Sequence, residues 1–424
     1  MSFNLSTFKT LPRALTHRNF ALYMAGNSIS LIGMWVQRLA MGWLIWELTG
    51  SGAWLGAVAL AEFIPNFLIT PFGGVLADRF DRRKLALLAQ SLACLQAVIL
   101  CVLTALEQIT PTLMVALGFY SGLAFALGQS ARLALIPSLI PEADLAAAIA
   151  TTSVTFNIAR VFGPAVAGII ISTFGVAPAF GFNALSYVTI ILALLALKLP
   201  PTPPKPGPSG HILTQVFTDF VEGWRYAKSK TAIASLIVIL GIEALFVRPL
   251  GDLLPGLVGS VFSKGPEGLA IFTASMGGGA ILAGLYLAQK QNLKGLTTLT
   301  LGSIAINGLG IALFASTHLF WLGASVMAVL GFTHVVSGTG SQTLIQSNVD
   351  DRMRGRVMGL WSLTLRGGPA LGAVSLGWLS GFFGFSAPLF ISGTLTALAA
   401  LLMFRRRRLM ADLLESTPNE RGPR

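Results

Sequence analysis

Twelve apolar runs, each near the roughly 20 residues needed to cross a bilayer, leave this chain few ways to fold. They lie near 20 to 47, 53 to 77, 85 to 106, 111 to 136, 145 to 174, 177 to 197, 231 to 259, 267 to 288, 295 to 316, 319 to 347, 356 to 383 and 386 to 404. Backbone polar groups in lipid must be satisfied within the chain, so runs of this length predict membrane-spanning helices. A hydrophobic fraction of 54% with 11% charged residues agrees, since soluble domains carry about a quarter charged residues. The expected fold class is an all-α polytopic membrane protein of 12 transmembrane helices.

The net charge of +12 raises the question of nucleic acid. The basic residues, however, sit between apolar runs rather than on one face, so no nucleic-acid partner is expected. Placing the first span inside-out assigns most of the 29 Lys and Arg residues to cytoplasmic segments and leaves only Lys264 in the outer loops. One missed helix would invert that asymmetry. Both termini are therefore expected in the cytoplasm. Lys9, Arg13 and Arg18 precede the first run as in a signal peptide, but 20 to 46 is far longer than a signal core of ~7 to 15 residues, and it reads as a retained helix. Cys94 and Cys101 share one run with no partner spacing for a disulfide or zinc, and they read as packing residues.

Residues 199 to 210, LPPTPPKPGPSG, favour an extended form and divide the chain. The expected domains are an N-terminal six-helix half, 1–198, a Pro-rich linker, 199–230, a C-terminal half, 231–405, and a basic tail, 406–424. Within the linker, Leu213, Val216, Phe217, Phe220, Val221 and Trp224 recur at helical spacing and predict an amphipathic helix on the inner membrane face. The halves repeat one another. Arg160 precedes Gly163 and Pro164 as Arg366 precedes Gly368 and Pro369, which predicts pseudo-symmetric halves.

Arg38, Glu62, Arg160, Glu243, Arg248, Asp252 and Arg366 fall within predicted spans. Each costs about 2.5 to 3.5 kcal/mol at a helix centre, so each should face a cavity or a partner. Arg38 and Glu62, similarly distant from the turn at Thr49 to Gly52, are expected to pair. Arg248 and Asp252, four apart, have the spacing of a same-face pair. Glu243 has no local partner of that kind, so Glu62 and Glu243 are the candidates for a carboxylate that takes and releases a proton as its surroundings change. Polar stripes add cavity candidates: Asn27 and Gln37 in the first span, Asn66 in the second, Asn157 in the fifth, and His334 and Gln342 in the tenth. With Arg38, Arg160 and Arg366 these complete the expected lining, although small polar residues also join helices without lining anything. Gly118 with Gly122 and Gly368 with Gly372 permit close helix contact, and Gly277 to Gly279 permit either tight packing or bending.

One loop carries the resemblance to a known family. In GGVLADRFDRRK, residues 73 to 84, Gly74, Leu76, Ala77, Asp78, Arg79, Arg82 and Arg83 match the G-x-L-A-D-R-x-G-R-[RK] loop of the major facilitator superfamily, with Asp81 where that pattern has Gly. Gly163, Pro164 and Gly168 resemble the fifth-helix motif of its drug:proton antiporters, Ala167 replacing one Gly. His17, Arg18, Asn19 and Phe20, the LTGSG segment from Leu48 to Gly52, DRFDRR, and ARLALIPSLIP from Ala131 to Pro141 resemble the enterobactin-exporter branch. The resemblance implies the superfamily's twelve-helix fold. It also implies a gate in which Asp78 meets the start of the eleventh span, near Arg354 or Arg356, and latches the cytoplasmic side. Arg79, Arg82, Arg83 and Lys84 are expected mainly to hold the loop at lipid phosphates.

The function so implied is proton-driven export of a siderophore or drug-like amphipathic compound by alternating access, from a bacterial inner membrane, as a monomer. Its partners are a small-molecule substrate and membrane lipids, and its energy source is a proton gradient. No cofactor, metal or catalytic group is expected. The chain lacks G-x-x-x-x-G-K-[ST], G-x-S-x-G and H-E-x-x-H, which speaks against an ATP-driven pump and a membrane-embedded enzyme. A lipid or lysophospholipid carrier on the same fold is the alternative within transport. A non-transporting scaffold would not need charges buried in its spans.

Overall fold

The computed structural model describes residues 13–69, 81–199, 212–290 and 292–415, and every regular element among them is a helix. The first six long helices are α1 (Arg18–Thr49), α2 (Gly52–Ile69), α3 (Arg82–Ala105), α4 (Pro111–Leu135), α5 (Leu145–Phe174) and α6 (Val176–Ala196). After the linker come α7 (Ile212–Ser229), α8 (Thr231–Phe246), α9 (Leu250–Ser260), α10 (Pro266–Ala288), α11 (Leu296–Ser316), α12 (Phe320–Asn348), α13 (Asp351–Phe383), α14 (Ser386–Phe404) and α15 (Arg407–Leu414).

Eleven stretches have the length and hydropathy of a membrane span, α8 and α9 together forming one of them. The one expected span not among them, the eleventh in chain order, is α13. Arg352, Arg354, Arg356 and Arg366 lower its hydropathy, yet its 33 residues exceed the length required. Side chains such as Phe162, Ile169, Leu185, Phe382 and Leu402 stand well exposed on these helices. So much apolar surface would be a liability in water, whereas in a bilayer it is the solvent-matched face.

Two differences from the expected spans have clear causes. The seventh run, expected to be continuous, is broken between α8 and α9. Pro249 lacks an N–H and its ring opposes the carbonyl four residues back, and the backbone N–H groups of Val247 and Arg248 both turn to the Glu243 carbonyl, at 2.9 and 3.2 Å. Among the described residues of the basic tail, Arg407–Leu414 form a helix. α15 buries Met410 and Leu414 among Leu296, Leu301, Leu344 and Val349. The Glu415 carboxylate then accepts the backbone N–H groups of Gly295, at 2.5 Å, and Thr297, at 2.7 Å, at the start of α11. Those donors have no partner inside their own helix, and a carboxylate there also meets the positive end of the helix dipole. Residues 200–210 of the Pro-rich linker lie outside the described residues.

The chain forms two compact units. The first comprises α1, α2 beyond its first turn, α3 to α6 and the start of α10. One end of this bundle is tied by the polar residues that precede α1. His17 Nε2 lies 2.8 Å from Asp144 Oδ2 and Arg13 Nε 2.7 Å from Oδ1. Asn19 Nδ2 donates to the Lys198 carbonyl at 2.9 Å, and Phe20 is fully buried in the adjacent apolar cluster. Gly122 lets α4 approach α2 so closely that a Cβ there would strike the Glu62 carbonyl, while Gly163 brings α5 onto Trp35 of α1.

The second unit comprises α7 to α9, most of α10, and α11 to α15. Its closest approaches again use glycine. Gly279 of α10 abuts the Ala328 carbonyl of α12, Gly331 abuts the Met276 carbonyl, and Gly368 and Gly372 of α13 fit against Ala244 and Leu245 of α8. At Gly122, Gly279, Gly368 and Gly372 the close helix contact expected of small residues is present.

Candidate functional sites in the two units

The first unit carries a cavity of about 320 Å³ whose wall includes Asn27, Gln37 and Arg38 from α1, and Glu62 and Asn66 from α2. Five sequence candidates thus meet at one place. Gly122 also lines the cavity, so the close α2–α4 contact sets the backbone that carries Glu62. Arg38 and Glu62, expected to pair, share this wall. The Arg38 guanidinium lies 5.7 Å from the Trp35 ring centroid, within cation–π range, and Trp35 meets Phe156 edge to face at 5.9 Å.

Gln37 does not stand alone. Its Oε1 accepts from Asn183 Nδ2 at 2.7 Å, its Nε2 donates to Gln96 Oε1 at 2.7 Å, and Gln96 Nε2 donates to the Leu117 carbonyl at 3.3 Å. Ser186 Oγ donates to Asn183 Oδ1 at 2.9 Å. This chain of carboxamides joins α1, α3, α4 and α6 through a buried region, where each unmade bond would cost about 1 to 3 kcal/mol. Gln96 and Asn183 escaped the sequence reading, as did Arg132, which lines the cavity and donates to Gln129 Oε1. A single carboxamide within an apolar run was the available signal for Asn183.

The second unit holds a charged site. Glu243 of α8 is fully buried, and its Oε1 accepts from Asn307 Nδ2 of α11 at 2.7 Å, from Ser337 Oγ of α12 at 2.8 Å and from Arg248 Nη2 at 3.3 Å. Thr333 Oγ1 donates to Asn307 Oδ1, which turns the Asn307 amide nitrogen toward the carboxylate. Arg248 Nη2 also donates to the His334 carbonyl at 3.3 Å and to Ser337 Oγ at 3.2 Å. The expectation that Glu243 lacks a local partner is therefore corrected, and Arg248 is seen to pair with Glu243. Residues five apart do not share a face on a continuous helix. The break at Pro249 folds Arg248 back and removes that restriction.

Among the other cavity candidates, Asn157 Nδ2 donates to the Ser153 carbonyl of its own helix at 2.9 Å, Arg160 and Gln342 are half-buried, His334 is buried and Arg366 is exposed. None of these five belongs to the first unit's cavity wall, though the His334 backbone joins the charged site. Of the helix-five motif, Gly163, Pro164 and Gly168 are buried within a continuous α5.

Gly74, Asp78 and Arg79 of the expected gate lie outside the described residues. Asp81, where the family pattern has Gly, caps α3 by accepting the Lys84 N–H at 2.9 Å. Arg82 donates to Ser138 Oγ at 2.9 Å. Arg83 donates to the Leu194 and Leu195 carbonyls at the end of α6, at 2.7 and 2.5 Å, where unsatisfied carbonyls and the helix dipole favour a cation. Both arginines thus have protein partners in addition to any role at lipid phosphates. Arg354 pairs with Asp351 at 2.5 Å, and Arg356 with Asp219 and Glu222 of α7 at 2.7 and 2.8 Å.

A polytopic bundle with an apolar exterior, a polar cavity in one unit and a buried charge network in the other defines a membrane transport protein. The chain belongs to the transmembrane secretion effector family of the major facilitator superfamily, whose model matches residues 11–423. Among its relatives are the enterobactin exporter EntS of Shigella flexneri, 29% identical over 89% of this chain and 87% of that protein, and that of Citrobacter koseri, 28% identical over 94% and 93%. Solved structures with the same fold include a peptide transporter (TM-score 0.72, 12% identity, 93% of this chain and 95% of that one). A bacterial homologue of the iron transporter ferroportin is similar as well (TM-score 0.68, 18% identity, 92% and 98%). The family makes this chain a transporter rather than an enzyme, and its multi-pass membrane character follows.

Proposed function

We propose that this transporter exports a siderophore or a related amphipathic compound by alternating access, driven by proton antiport. The observation that carries the reading is likeness to enterobactin exporters along nearly the whole chain. The sites supply compatible chemistry. In the first unit, Arg38 and Arg132 can neutralise an anionic or catecholate group, the rings of Trp35 and Phe156 offer apolar faces, and Gln37 and Asn66 offer directional hydrogen bonds. In the second unit, Glu243 is the proton carrier. Deprotonated, it forms the ion pair with Arg248 that a buried charge requires. Protonated, it no longer needs that pair and frees Arg248 to rearrange. Coupling follows if the two states favour opposite sides of the membrane.

The location is a bacterial inner membrane with both termini in the cytoplasm, supported by the placement of Lys and Arg in the segments assigned to that side. Comparing siderophore secretion by a deletion strain with and without the gene tests the substrate class. Uptake of the secreted compound into everted vesicles tests the energy source. Unchanged secretion on deletion would defeat the siderophore reading, and uptake that survives collapse of the proton gradient would defeat antiport.

A further inference from the structure

α7 ends at Ser229 and the seventh span begins at Thr231, so the last turns of α7 lie where the chain enters the bilayer. Its charges are sorted by face. The acids Asp219 and Glu222 turn to Arg356. Gly223 is buried against the Arg356 backbone, Ala227 enters the apolar core, and Tyr226 Oη accepts the Asp350 N–H at 3.2 Å. The opposite face carries Phe220, 43% exposed, and Trp224, 47% exposed, one helical turn apart, with Arg225 and Lys228 exposed beside them, whereas Lys230, past the end of α7, holds its ammonium 5.9 Å from the Tyr226 ring centroid. Within residues 218–230 the only two acids are those held by Arg356. The outward face is therefore aromatic and basic, although the segment as a whole contains both signs of charge.

We infer that this outward face binds anionic phospholipid. Phe220 and Trp224 seat at the boundary between headgroups and acyl chains, where amphipathic rings partition, while Arg225 and Lys228 meet the phosphates. Each basic residue near an anionic surface contributes roughly fivefold to the partition, and none of that gain is available from a zwitterionic surface. Lipid held there restrains more than α7. Through Arg356 it also tethers the second turn of α13, so the lipid composition of one leaflet acts on a long helix of the second unit.

The test is hydrogen exchange on the full-length protein in nanodiscs of phosphatidylcholine alone or mixed with phosphatidylglycerol. Protection over 218–230 is expected to rise on the order of tenfold with the anionic lipid and to fall again at high salt. It should return to the phosphatidylcholine level in the double variant Arg225→Gln, Lys228→Gln, with the core of α13 unchanged. Equal protection in the two lipids would overturn the inference. So would lipid-dependent protection that survives the double substitution, because the charge would then not be the recognised feature.

Discussion

Glu243 offers one carboxylate oxygen to three donors, and its other oxygen, Oε2, is buried with no hydrogen-bond partner among the described residues. On the proposed antiport reading, that second oxygen is where the carried proton would sit. Glu243→Gln is expected to lower gradient-driven uptake into everted vesicles by about tenfold or more, while substrate binding measured on the purified protein stays near the wild-type value. Asn307→Leu removes a donor from the same oxygen and the side-chain acceptor of Thr333, whose hydroxyl keeps the Val329 carbonyl of its own helix at 2.8 Å. It should lower stability by about 1 to 3 kcal/mol, read as a fall in the detergent melting temperature. The carboxylate was visible in the sequence because a lone acid in an apolar run is costly. Its partners were not, since Asn307, Thr333 and Ser337 come from helices whose rotation about their axes no single-chain pattern specifies.

At the scale of elements, breaks and glycines decide which side chains meet. Pro249 separates α8 from α9 and turns Arg248 toward Glu243. Pro249→Ala restores the missing N–H, and a straightened seventh span would carry Arg248 away from the carboxylate. The expected outcome is folded protein with uncoupled transport, checked by comparing substrate exchange, which should persist, with gradient-driven accumulation, which should fall severalfold. Gly122→Ala acts in the other unit. The added methyl meets the Glu62 carbonyl, so α2 and α4 must separate, and overpacking of this kind costs about 1 to 3 kcal/mol. Reduced yield and a lower melting temperature would register it. The helices themselves were legible from apolar length alone, and α7 from its spacing. Glu243 as a partner of Arg248 was not legible, because the rule for residues on one face assumes an unbroken helix and Pro249 breaks this one.

Across the whole molecule, each unit has its own source of order and its own polar chemistry. The first rests on neutral carboxamides around a cavity and on a rim of ties made by His17, Asn19, Arg82 and Arg83. The second rests on a buried ion pair and on α15 closing the base of α11. Glu415→Gln should weaken that closure by roughly 0.3 to 1 kcal/mol, the worth of a charge at a helix N-terminus, and the loss should shrink as salt rises. The start of α11 also has a place in the order of synthesis. Gly295 leaves the ribosome 120 residues before the carboxylate that covers its N–H, so that helix enters the membrane unfinished and is completed only when the last part of the chain folds back onto it.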